Sequence, residues 1–108
     1  MHTIRTSNKN AREAVQKRLP FKASNTFGEW KGNGFAVYSY GYHFPMFLYD
    51  SVSRVWFKNA DKYSVSTSRQ QSQLNPLADG MSVMDTKGML QRISELNAST
   101  HLGIVSPR

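Results

Sequence analysis

Hydrophobic and polar positions follow two different periods along the chain, and each period predicts a different element. In "NKNAREAVQKRLP", Ala11, Val15 and Leu19 recur at helical spacing, which predicts one apolar stripe on a short helix. Asn10 is placed to cap it, with Glu13 as capping-box partner, and Pro20 ends it. The next segment, "FKASNTFGEWKGNG", is rich in Asn, Ser and Gly and reads as a loop closing on the Asn33-Gly34 turn dipeptide. From Phe35 the period changes to two. "FAVYSY", "MFLYD" and "RVWFKN" read as strands, bent apart at Gly41–Pro45 and Ser51–Ser53, and "YSVSTS" reads as a fourth. "SRQQSQLNPLADGM" has no apolar period and reads as a loop. "SVMDTKGMLQRISELN" predicts a second helix capped by Ser82 or Asp85, with Met89, Ile93 and Leu96 on one face, and "HLGIV" offers an edge strand. The expected fold class is α+β: an N-terminal helix, an antiparallel meander of three to four short strands, and a C-terminal helix. Residues 1–108 form a single domain in this reading, with frayed ends at 1–8 and 98–108.

The alternation also sorts side chains by face. Phe35, Val37, Met46, Leu48, Val55 and Phe57 are expected on a buried face. Tyr38, Tyr40, Phe47, Tyr49 and Trp56 are then left on the other. Twelve of the thirteen aromatic residues lie between Phe27 and Tyr63, so the rings belong to the sheet and its approach. Three uses remain open for the second face: core beneath a helix, a stacking platform for bases, or a surface that meets a partner protein.

Charge leaves two readings, an anionic partner or simply a soluble basic surface. The chain carries a net charge of +7, and residues 1–31 alone hold +5 through Arg5, Lys9, Arg12, Lys17, Arg18, Lys22 and Lys31 against Glu13 and Glu29. Arg12, Lys17 and Arg18 lie off the apolar stripe, which predicts a positive outer face on the first helix. A basic patch beside stacking rings points to nucleic acid, and neutralising those three residues should then abolish binding. A host protein bound through Tyr49 and Trp56 is the alternative, and a free sheet edge would allow a dimer.

Other chemistries find little support. No stretch is apolar enough to span a membrane, no secretory leader opens the chain, and a cytoplasmic setting is expected. There is no cysteine, which excludes disulfides and thiol catalysis. His2, His43 and His101 are far apart and the acids form no close pair, so no catalytic residue, metal or cofactor is assigned. The hydroxyl run Ser64, Ser66, Thr67, Ser68 and Ser72 beside Arg69 suits an anion or a solvated edge.

"VYSYGYHFPMFLYD", followed by "WFKNADKYSVSTSRQQSQLNP", resembles a family of small uncharacterised domains encoded by phages and other mobile elements, over about residues 21–76. The matched positions are Ser39, Tyr40, Gly41, His43, Pro45, Trp56, Asn59, Tyr63, Ser64, Thr67, Ser68 and Arg69. The resemblance implies a small accessory protein of a phage or similar element working inside a host cell. Gly41, Pro45 and Asn59 have structural reasons at their turns. His43, Tyr63, Ser64, Thr67, Ser68 and Arg69 do not, and they are candidate site residues. Members of the family often carry His where this chain has Gln70, which weakens any enzymatic reading.

Overall fold

The computed structural model describes residues 3–61 and 65–105, the last seven of these through the backbone alone. Among the described residues the chain builds a seven-stranded sheet whose strands lie in sequence order. They are β1 (Ile4–Arg5), β2 (Phe21–Lys22), β3 (Thr26–Lys31), β4 (Gly34–Ser39), β5 (Pro45–Asp50), β6 (Val55–Asn59) and β7 (Ser82–Met84). Strands β2 to β6 pair antiparallel, whereas β1 on β2 and β7 on β6 are parallel. A parallel neighbour requires a crossover, and helices α1 (Arg12–Gln16) and α2 (Val65–Leu74) lie in the two crossovers. Both pack on the same face. Ala14 and Val15 of α1 and Leu74 of α2 share a core with Phe35, Val37, Phe47 and Trp56. Helix α3 (Thr86–Val105) covers the opposite face, where Met89, Ile93 and Leu96 meet Ala36, Tyr38, Leu48 and Phe57. Strand β4, held between the two layers, is buried at every position. No helix among the described residues is long and apolar enough to cross a membrane.

The architecture is α+β, but the expected meander of three to four strands between terminal helices is corrected to a seven-stranded mixed sheet. The alternating segments lie on β4, β5 and β6. Strand β1 falls in the segment read as frayed, and β2 and β3 in the segment read as loop. Two-residue strands show no period to read, and β3 carries Gly28 at a position where any side chain would strike the Phe21 ring 2.5 Å away. The first helix shrinks to five residues behind a 3-10 turn over Asn8–Asn10, and Ser7, not Asn10, caps that turn. Where a fourth strand and a loop were expected, the chain forms α2. Its inward positions are Thr67, Gln70, Gln71 and Leu74, which keep helical spacing but are mostly polar, so no apolar stripe betrays them. The start of the expected second helix is β7, and α3 begins behind Asp85, whose carboxylate accepts from the Gly88 N–H at 2.8 Å as an N-cap does. "HLGIV" lies within α3.

The faces are corrected as well. Phe35 sits opposite Tyr49, and Tyr49 opposite Trp56, whereas Leu48 sits opposite Ala36 and Phe57. Cross-strand partners share a face, so Phe35 and Val37 belong with Phe47, Tyr49 and Trp56, and Leu48 and Phe57 belong with Tyr38. A register shift between Val37 and Tyr38 leaves Met46 as an extra residue on β5, and this bulge turns both Met46 and Phe47 into one core.

Candidate functional site

The three cations expected to make a phosphate-binding helix are each engaged locally. Arg12 donates through its guanidinium to the Ser72 carbonyl, tying α1 to the end of α2. Lys17 pairs with Glu13 one turn away at 2.8 Å. Arg18 occupies the position after the α1 C-cap at φ 55°. There the Leu19 N–H donates to Ala14 O at 2.8 Å and the Arg18 N–H to Val15 O at 3.0 Å, the two bonds of a Schellman motif. Its guanidinium lies 4.5 Å from the centre of the Tyr49 ring. The Arg12 and Arg18 contacts tie α1 to α2 and to β5, while the exposed Lys17–Glu13 pair lies within α1 itself.

The rings divide just as sharply. Trp56 is 8% exposed and Tyr38 2%, and half-buried Tyr49 lies between Trp56, 5.2 Å away centre to centre, and Arg18. Helices on both faces take these rings into the core, so Tyr38, Tyr49 and Trp56 are not the open platform expected of them. Among the described residues the exposed rings are Tyr40 at 57% and Tyr42 at 53%, both in the bend between β4 and β5. His43 is exposed in the same bend, and its Nδ1 would lie 3.0 Å from a Cβ placed on Gly41. Thr67 is buried, Ser68 half-buried and Arg69 exposed on α2. Tyr63 and Ser64 lie outside the described residues.

A groove forms at the β2–β4 end of the sheet, and among the described residues none of α3 lines it. Arg5, Lys22, Phe27 and Tyr38 follow one another as cross-strand partners from β1 to β4. Tyr42 folds over that row. Phe27 stacks on Tyr38 at 5.0 Å, and Tyr42 meets both rings edge-on at 5.1 and 5.0 Å. The Tyr42 hydroxyl donates to Glu29, whose carboxylate is also paired with Lys31 at 2.9 Å. The groove, about 520 Å3, is lined by Lys22, Phe27, Glu29, Tyr40 and Tyr42 among others. Among the described residues, Arg5 and Lys22 have no ion pair. Adjacent like charges on a sheet repel, and an anion laid across them would relieve that repulsion.

Behind Tyr40 runs a network of side-chain amides. The Asn25 side chain donates to the Tyr40 hydroxyl at 3.3 Å and accepts from Asn8 at 2.6 Å and Gln70 at 2.7 Å. Thr26 donates to Asn8 at 2.7 Å, and the Ser39 hydroxyl donates to the Gln70 carbonyl oxygen. Tyr40 stands at φ 65°, with its N–H on the Asn25 carbonyl at 2.8 Å. The structure thus brings Ser39, Tyr40 and Arg69 together around Gln70, and leaves Arg12, Lys17 and Arg18 at α1. Sequence reasoning missed Arg5, Lys22, Phe27 and Tyr42 as site residues. The unbalanced charge of the first 31 residues was the one signal pointing toward two of them.

Burial pushes the Tyr38 phenol well above the ordinary tyrosine value, and the Glu29 carboxylate adds to the shift. A phenol whose folded pKa is raised stays protonated in the fold while the unfolded chain ionises, so its contribution is complete below 10.0 and is lost as pH rises beyond it. Urea unfolding of the wild type should weaken between pH 9 and 11, and Tyr38→Phe should flatten that decline. An unchanged decline in the variant would assign it to other groups.

Among the described residues no group of three or more His, Asp or Glu side chains comes together that could hold a metal ion. No family model, curated protein or solved structure matches the chain.

Proposed function

We propose that this protein is a non-catalytic binder of single-stranded nucleic acid, with the groove of Phe27, Tyr40 and Tyr42 as its stacking surface and Arg5 and Lys22 as backbone contacts. The observation that carries the reading is two tyrosine rings, each more than half exposed, lining one groove with Lys22, whose cross-strand neighbour is Arg5, neither cation having an ion pair among the described residues. Bases stack on exposed aromatic faces for about 1–3 kcal/mol each, and every base has such a face. A duplex keeps its base faces stacked inside, so the groove suits a single strand. The contacts differ from those the sequence suggested: the open end of the sheet replaces the α1 helix and the Tyr49–Trp56 face. The resemblance to mobile-element domains supports an accessory role in a host cell.

Fluorescence polarisation of labelled single- and double-stranded oligonucleotides, at two salt concentrations, tests this. Micromolar binding with a single-strand preference is expected, weakening several-fold as salt rises. Lys22→Gln should lower affinity several-fold and Lys17→Gln by less than twofold. Absence of binding at low salt would end the nucleic-acid reading and favour a protein partner at the same rings.

A further inference from the structure

Asn25, which donates to the Tyr40 hydroxyl, also lines a second hollow. This cup, about 330 Å3, lies between the Ser7–Asn10 turn, the connection from β2 to β3 and one face of α2. Every residue lining it is polar, two of them, Lys9 and Arg69, are cations, and none is acidic. Among the described residues neither cation has an ion pair.

The amide network gives the cup a direction. The carboxamide oxygens of Asn8, Asn25 and Gln70 accept, respectively, from Thr26, from Asn8 and Gln70 together, and from Ser39. Each of the three NH2 groups uses one proton within the network and carries a second. Only the Asn25 oxygen accepts twice, so the amide wall keeps three unused N–H protons against two unused amide lone pairs. Add a guanidinium, whose planar fork matches phosphate oxygens, and an ammonium, and the lining favours a multiply accepting anion. On α2, Ser66, Arg69, Gln70 and Gln73 line the cup. Their helical spacing puts them on one face, while Thr67, Gln71 and Leu74 turn inward.

We infer that this cup is a phosphate site, and that it seats the backbone phosphate next to the base stacked on Tyr40. The inference rests on the single-strand reading for the source of the phosphate, but not for the site itself. One side chain, Asn25, joins the two halves: it contacts the Tyr40 hydroxyl and lines the cup. Ring and phosphate site are thereby held in fixed relation, which selects a nucleotide unit over an isolated ring or an isolated anion.

Two probes separate the parts. Inorganic phosphate, added to labelled protein and followed by NMR, should shift the side-chain NH2 signals of Asn8, Asn25 and Gln70 at millimolar concentration. A Lys9→Ala/Arg69→Ala double variant should lose those shifts while keeping the wild-type amide pattern elsewhere. A short single-stranded oligonucleotide should bind that variant about tenfold more weakly, with the slope of log K against log salt reduced by about 0.7, the loss of one phosphate contact. No phosphate shifts in the wild type would overturn the site. An unchanged salt slope in the double variant would overturn the cup as a strand contact and leave the groove standing. Phosphate shifts in a protein that binds no oligonucleotide would retain the site and overturn the strand as its source.

Discussion

Tyr40→Gly is expected to weaken single-strand binding about tenfold while leaving the melting temperature unchanged or raising it by a few degrees. The two effects have separate causes. Tyr40 holds φ 65°, a region that costs an L-residue about 1–2 kcal/mol and glycine almost nothing. Its ring is 57% exposed and makes one hydrogen bond, from Asn25 at 3.3 Å, so little packing is lost with it. The backbone bond from Tyr40 N–H to Asn25 O survives the change. The groove, by contrast, loses a stacking face, worth about 1–3 kcal/mol when a base lies on it. Tyr40→Ala separates the terms, because it removes the ring and keeps the strain. It should bind as weakly as the glycine variant and melt at a lower temperature, by roughly 1 kcal/mol of stability. Equal melting temperatures for the two variants would show that the left-handed backbone carries no cost here. Wild-type affinity in both would remove Tyr40 from the site and with it the reading that places a base there. Strain kept at an exposed ring that adds little to packing is what a functional position would retain.

Asn59→Ala should cost about 3 kcal/mol of stability, the sum of a small cavity and stranded polar partners. Asn59 is 1% exposed at the end of β6. Its amide donates to Pro45 O at 2.7 Å and Thr86 Oγ1 at 2.9 Å, and its side-chain oxygen accepts from the Asp61 N–H at 2.8 Å. It therefore ties the start of β5 and the first residue of α3 to the turn that leaves β6. Its own backbone carbonyl accepts from Gln71 at 3.0 Å, which holds α2 to the same point. Each partner left unpaired in the interior loses about 1–3 kcal/mol. In a domain of this size that should lower the melting temperature by at least roughly 12 °C, measured by circular dichroism. Asn59→Asp should fall by a comparable amount, since a carboxylate cannot donate to Pro45. A loss under about 1 kcal/mol in the alanine variant would mean that the turn finds other partners and that Asn59 is not the tie between the layers.

The readable parts of this chain were those where burial is apolar and regular. Phe35 to Asn59 alternates, and β4, β5 and β6 lie there. Met89, Ile93 and Leu96 keep helical spacing, and α3 presents them inward. Helix α2 was opaque because its buried stripe of Thr67, Gln70, Gln71 and Leu74 is mostly polar, with Gln70 bonded to Ser39 of β4 and to Asn25, and Gln71 to Asn59 of β6. Hydropathy does not register a glutamine buried by its partners. Strands β1 and β7 were opaque for a related reason: two or three residues show no period and become a strand only when a neighbour, β2 for β1 and β6 for β7, offers its edge.

For the site, the chain alone determined the ingredients. It set the excess of cations in the first 31 residues, the concentration of rings between Phe27 and Tyr63, and the absence of cysteine. Tertiary structure decided which of these meet. It placed Trp56 under one helical layer and Tyr38 under the other, occupied Arg12, Lys17 and Arg18 with other partners, and left Tyr40, Tyr42 and Lys22 around one hollow and Lys9 and Arg69 around another, linked through the Asn25–Tyr40 hydrogen bond. The physical reason is that exposure and pairing are properties of both sides of a contact. A side chain's own identity says what it can bind, and only the register of its strand and the helix laid over it say whether it is free to do so.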